Sequence, residues 1–129
     1  MTLPDDRRYS REHEWIRPED GEGAIGLTKF AVDELGDIVY VELPEPNKQV
    51  ARGDVLGTIE SVKAVSEIYA PVAGTVVEVN DTLDASPETV NQDPHGEGWY
   101  CRLRVEAASE VEDLMDAAAY QKHVDAGAE

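Results

Sequence analysis

The stretch Leu56-Gly57-Thr58-Ile59-Glu60-Ser61-Val62-Lys63-Ala64-Val65-Ser66-Glu67-Ile68-Tyr69-Ala70-Pro71 decides the fold. Two alternating runs flank a lysine. The first, Asp54 to Ser61, places Val55, Gly57 and Ile59 on one side. The second, Ala64 to Ala70, does the same with Ala64, Ser66, Ile68 and Ala70. Period-two runs are half-buried strands, and a link as short as Val62-Lys63 joins them as a hairpin. Lys63 then stands at the tip, among small neighbours (Ser61, Ala64, Ser66) that leave its ammonium unobstructed. A lysine in a turn is ordinarily a solubilising residue. This one is the sole lysine between Lys48 and Lys122, and the tip lacks the Asn-Gly or Asp-Gly pair that hairpins favour. Something other than turn propensity selects Val-Lys.

The flanking segments read as more strands with little helix. Tyr9 to Arg17 and Ala24 to Thr28 form an N-terminal hairpin across the turn cluster Pro18 to Gly23. Thr28 is placed to cap a short helix, Lys29 to Leu35, which Gly36 ends. Asp37 to Leu43 carries apolar residues on both faces and reads as a central strand. Gln49-Val50 is a short edge piece, and Thr75 to Asn80 is another strand. Gly36 to Glu42 resembles Gly74 to Asn80, a faint internal repeat. Asp81 to Gly98 is a connection with one helical turn at Ser86 to Val90, followed by a strand from Trp99 to Val105. Ser109 has capping-box spacing to Glu112 and opens a helix; Asp116 caps another, Ala117 to Asp125. Val39, Val41, Val55, Ile59, Ile68, Val77 and Val79 are expected to share one core.

Composition narrows the function classes. A chain of 129 residues suggests one domain large enough for a core without staples. Cys101 is the only cysteine, so no disulfide forms within the chain; a structural thiol in a reducing compartment is expected. With 28 acidic against 11 basic residues the formal charge is −17, which opposes binding to nucleic acid or an anionic membrane. No apolar run approaches a membrane span, and the first residues hold no signal core, so a cytoplasmic monomer is expected. His13, His95 and His123 are scattered and read as surface or capping residues. No Cys-x-x-Cys, His-x-x-x-His or EF-hand pattern occurs, so no metal site is indicated. A scaffold presenting one modifiable lysine accounts for the chain better than an enzyme does.

The lysine segment resembles a known family. Glu60-Ser61-Val62-Lys63-Ala64, followed by Pro71-Val72-Ala73-Gly74 and Val77-Glu78-Val79-Asn80, is similar to the glycine cleavage system H protein. His13-Glu14-Trp15, Val41-Glu42-Leu43-Pro44, Ser86-Pro87-Glu88 and Gly96-Glu97-Gly98-Trp99 extend the resemblance from about Tyr9 to Tyr120. It implies a mainly β, barrel-sandwich hybrid of the lipoyl and biotinyl carrier type, with an N-terminal hairpin, a short internal helix and C-terminal helices. Residues 1–129 would be a single lipoyl-carrier domain, its core about 24–105 and its helical extension 109–127.

The resemblance also implies chemistry. Lys63 would carry lipoic acid in amide linkage, and Glu60 would be part of what the lipoate-attaching enzyme reads. Glu14 would belong to a cleft that receives the loaded arm. Glu67, four residues beyond Lys63 on the outgoing hairpin strand, is by its own position a second candidate carboxylate. The partners would be a glycine decarboxylase with pyridoxal phosphate, an aminomethyltransferase with tetrahydrofolate, and dihydrolipoamide dehydrogenase with FAD. Asn47 stands where the family commonly has glycine, and asparagine is well suited to positive φ. Glu67 stands where aspartate is common, and Glu12 where serine is common. Rival readings are a lipoyl domain of a 2-oxo acid dehydrogenase, a biotin carrier and a lipoate-relay protein. The first two usually carry Asp-Lys-Ala and Met-Lys-Met at the tip, in place of Val62-Lys63-Ala64. The motif does not separate relay from glycine cleavage.

Overall fold

Backbone geometry at a few polar residues sets the path of the N-terminal third. In this computed structural model, which describes residues 3–127, the expected strand Tyr9 to Arg17 is broken in two. Ser10 accepts the Glu14 amide on its Oγ at 3.0 Å, and His13 adopts φ 73°. The chain therefore doubles back, and β1 (Arg8–Tyr9) pairs antiparallel with β2 (Glu14–Glu19). The following turn is tighter than the composition suggests. Asp20 and Gly21 (φ 52° and 80°) make a two-residue loop, and Pro18, Glu19 and Glu22 join the strands. β3 spans Glu22–Leu27. Thr28 then caps α1 (Lys29–Leu35) by accepting the Ala31 amide at 3.2 Å, and Gly36 ends it at φ 84°, as the spacing predicts.

The remaining strands are β4 (Ile38–Val41), β5 (Gln49–Val50), β6 (Val55–Ser61), β7 (Val65–Tyr69), β8 (Gly74–Val79) and β9 (Cys101–Val105). They form two open antiparallel sheets, one ordered β1-β2-β3-β9-β8-β5 and the other β4-β6-β7. β5 lies at an edge, as expected. β4 does too, because among the described residues it pairs with β6 alone, so the strand expected to be central is not.

The faint repeat is structural. The β4–β6 register shifts between Ile38 and Tyr40, and the β8–β9 register shifts between Val76 and Glu78, the equivalent position. Beyond each bulge the equivalent amide is bonded across: Glu42 N to Thr58 O at 2.8 Å, and Asn80 N to Tyr100 O at 3.1 Å. Asn47, at φ 72°, makes the left-handed turn expected of it.

Bulges also correct the expected core. Val41, Ile59 and Ile68 are buried in it, Val79 packs against it, and Val77 is half-buried. Val39 and Val55 are 49% and 37% exposed. A bulge sends consecutive residues to the same side, so Val39 follows Tyr40 outward. The shift between Val55 and Gly57 turns Leu56 inward instead. Gly57 has no room for a side chain, since the Tyr100 hydroxyl and the Glu42 carbonyl occupy the place of a Cβ. Cys101 is fully buried, and burial pushes its thiol up to about 12, so it is an inert core residue.

The connection to β9 holds two short turns of helix, α2 (Thr82–Ala85) and α3 (Thr89–Gln92). α4 (Ala108–Glu112) starts at Ala107 with no side-chain cap, so the expected Ser109 cap is not used. α5 (Ala117–Asp125) is capped by Asp116, which accepts the Ala119 amide at 2.8 Å. Tyr120 of α5 stacks on Tyr9 at 4.9 Å in a second cluster with Trp15 and Ala24. Tyr9 exchanges backbone hydrogen bonds with Met115, fastening the first strand to the segment before α5. The fold is thus mainly β, with two sheets and short helices.

Candidate functional site

The β6–β7 tip explains why no Asn-Gly pair is needed. Ser61 does the work of a turn-forming residue with its side chain. Its Oγ accepts the amides of Lys63 (3.2 Å) and Ala64 (3.0 Å), and its own amide donates to Ala64 O at 2.8 Å. The Val62 amide donates to Asp37 O at 3.0 Å, tying the tip to the segment that enters β4. Every backbone N–H from Ser61 to Ala64 is thereby satisfied, and what projects is the Lys63 side chain. It is exposed, and among the described residues no carboxylate forms an ion pair with it. Its stem passes the end of α1, where a Cβ on Gly36 would meet Lys63 Cε at 3.6 Å.

Glu60 is exposed and sits in register between Tyr40 of β4 and Val65 of β7. Glu67 is exposed too and accepts the Tyr69 hydroxyl at 3.0 Å. With Ser66 it lines a cavity of about 210 Å³ against Phe30, Ala31, Glu34 and Leu35 of α1, completed by Glu12, His13 and Leu27. Glu12 and Glu34 are acids that sequence reasoning did not place there. Their shared cavity lies between α1 and the start of β7, residues far apart in sequence that no periodicity connects.

Glu14 does not line that cavity. It is 1% exposed, with Oε1 accepting the Ser10 hydroxyl at 2.6 Å and Oε2 accepting the Tyr69 amide at 3.2 Å. It therefore joins β2 of the larger sheet to β7 of the smaller one. Burial pushes its carboxyl up to about 7, against the opposing pull of the bonds from Ser10 and Tyr69. Glu14 is thus not a surface acid. The structure thus places Lys63, Glu60 and Glu67 on one hairpin, and Glu14 against the same hairpin from behind.

The histidines are not alike. His95 accepts the Lys29 amide on Nε2 at 3.1 Å and caps α1, as one expectation allowed. His13 is buried, contrary to the surface reading; its Nδ1 lies 2.7 Å from the Tyr120 hydroxyl, which lies 2.7 Å from Thr28 Oγ1. Its ring lies 5.7 Å from that of Tyr120 and 4.8 Å from that of Phe30. Among the described residues no group of His, Cys, Asp or Glu is placed to hold a metal ion.

Comparison with known proteins bears directly on this geometry. The profile described as Glycine cleavage H-protein matches residues 7–127. The chain belongs to the glycine cleavage H-protein family. It is 51% identical over 119 residues to a glycine cleavage system H protein of Symbiobacterium thermophilum, covering 92% of this chain and 93% of that one. It is 50% identical over 122 residues to the H protein of Thermus thermophilus, covering 95% of each. A crystal structure of a glycine cleavage system H protein from Mycobacterium marinum superposes with a TM-score of 0.88 at 38% identity, over 95% of this chain and 99% of that one. H proteins are lipoyl carriers. No helix of the described residues is long and apolar enough to cross a membrane.

Proposed function

We propose that Lys63 carries the lipoyl group in amide linkage, and that the chain is a non-catalytic, cytoplasmic, monomeric carrier of the glycine cleavage system. One observation supports this above all: a side chain with a reactive amine projects from a tip whose backbone is fully held by Ser61 and Asp37. An amine without an ion-pair partner loses no native contact when it is acylated. Bound there, a dithiolane supplies a carrier for the aminomethyl group of glycine, moving it from a pyridoxal-phosphate decarboxylase to a tetrahydrofolate-dependent aminomethyltransferase, with reoxidation by dihydrolipoamide dehydrogenase.

The chain's own residues then have three tasks. Lys63 anchors the arm at a rigid point, and Glu60 is read by the lipoate-attaching enzyme. Glu67, with Glu12 and Glu34, makes the cavity beside α1 attractive to a cationic amine, and Glu14 backs the strand that forms its wall. The arm is long enough for this. It extends on the order of 14 Å from the backbone, while Ser66 is only about 10 Å along an extended strand from Lys63. Residues 1–129 serve as one lipoyl-carrier domain, with a core at about 24–105 and a helical extension at 109–127.

The test is co-expression with a lipoate-attaching enzyme, followed by intact mass and peptide mapping. One lipoyl group on Lys63 is expected, moving the formal charge from −17 to −18. Attachment at Lys29 or Lys48 would overturn the assignment.

A further inference from the structure

Among the described residues, the large apolar side chains that stand exposed are Val39, Tyr40, Val55, Val62 and Val65. All five lie on the three-stranded sheet or at its tip, although that sheet is the smaller of the two. We infer that the outer face of β4-β6-β7 is the surface on which the enzyme that acylates Lys63 docks, and that the matching surface of that enzyme is apolar with a basic border. This rests on the reading of Lys63 given above.

Register defines the face. Tyr40, Glu60 and Val65 are direct cross-strand partners, so their side chains share one side of the sheet. Tyr40 is 54% and Val65 66% exposed, on the row next to the Ile38–Ser61 pair that leads into the tip. The β4 bulge adds Val39, at 49%, and Val62 stands beside Lys63 at 68%. The next row is polar: Glu42, Thr58 and Glu67, with the Thr58 hydroxyl donating to Glu42 at 3.3 Å. An apolar cluster beside Lys63, with one carboxylate in it and two behind, has the anatomy of an interface whose centre excludes water. Tyrosine is among the residues that dominate such centres.

Charge selects the occupant. A second copy of this chain would set Glu42 and Glu60 against like charges, within a molecule of formal charge −17. A basic border meets them favourably and draws the two proteins together faster. An enzyme that acylates Lys63 must also approach this hairpin, because the substrate amine projects from its tip. The cavity beside α1 is bounded mainly by other residues and leaves Val39, Tyr40 and Val65 uncovered.

The experiment measures initial rates of lipoyl transfer to the purified full-length chain by a lipoate-attaching enzyme, against carrier concentration. Tyr40→Ser and the triple variant Val39→Ser/Tyr40→Ser/Val65→Ser should raise KM, the triple variant by tenfold or more. Their kcat should stay within twofold, and thermal melts should match wild type because the positions are exposed. Glu42→Lys should lower kcat/KM several-fold and flatten its decline with salt. Unchanged KM in both serine variants, with wild type modified on Lys63, would overturn the docking face and leave the lysine assignment standing. Wild type left unmodified on Lys63 would overturn both. Wild type sedimenting as a dimer that the triple variant dissolves would assign the face to a second copy and overturn the proposal.

Discussion

Gly36 to Glu42 and Gly74 to Asn80 are two versions of one pattern put to opposite uses. Both begin with glycine, both bulge at the same position, and both close with the same backbone bond across the sheet. β8 lies between β9 and β5, and its bulged Val77 is half-buried. β4 lies at an edge, and its bulged pair, Val39 and Tyr40, faces solvent. The local pattern specifies a bulged strand, while the neighbours decide whether the bulge is filled in or left as a surface. The larger sheet spends its strands on burial. The smaller one leaves an apolar face beside Lys63.

The largest effect that would sharpen this contrast is functional. Lys63→Arg should abolish lipoyl attachment altogether while the thermal melt stays at the wild-type value, because Lys63 contributes nothing to the core. A melt that falls with the arginine would tie the tip to stability and weaken the separation of roles. Next in size are the buried residues that precede the two bulges. Ile38→Ala and Val76→Ala should each cost about 2–4 kcal/mol in denaturant unfolding, with valine at the lower end, since both are under 5% exposed. Costs below about 0.5 kcal/mol at either position would break the equivalence of the two strands.

Glu14, which joins the two sheets, offers a test in pH. Its folded value of about 7 lies above the ordinary 4.5. Stability from keeping it protonated is fully present below about pH 4.5 and is lost as pH rises through about 7. Glu14→Gln removes this dependence, so the variant should gain on wild type across that window, by about 3 kcal/mol at most. Unfolding free energies measured at pH 4 and pH 8 check it; a constant offset at both would mean that Glu14 titrates in the fold as it does in the unfolded chain. The smallest effect separates the bulges themselves: Val39→Ala should change stability by no more than about 0.5 kcal/mol. Val77→Ala, half-buried, should cost about 1 kcal/mol. Equal costs would erase the distinction between edge and interior.

Much of this was legible along the chain. α1 and α5 fall where Thr28, Gly36 and Asp116 put them, because capping is a local transaction between a side chain and amides three residues on. The hairpin and the exposed Lys63 were equally readable from alternation. Bulges were not, since an extra residue leaves the valine pattern intact while reversing which valine points inward. Hence Leu56 was missed for the core and Val39 and Val55 were wrongly included. The turn at Ser10 to His13 was hidden because the residue with positive φ is a histidine. Glu60 and Glu67 lie on the two strands of the hairpin that alternation delimits. Glu14 was named by resemblance, but its burial depends on Tyr69, and no local pattern links residues so distant in sequence. Glu12 and Glu34 were invisible as a pair for the same reason.

The place of β9 has a consequence for synthesis of the protein. It lies between β3 and β8, two strands made long before it. Until residues 101–105 have been translated, both earlier strands present open edges, and the larger sheet exists as two fragments with their apolar faces incompletely covered. A growing chain can complete the Lys63 hairpin early, from contiguous residues, but must wait for β9 before β3 and β8 are joined in one sheet. The interval between these two events, in the nascent chain, is when the protein is most exposed to edge-to-edge aggregation.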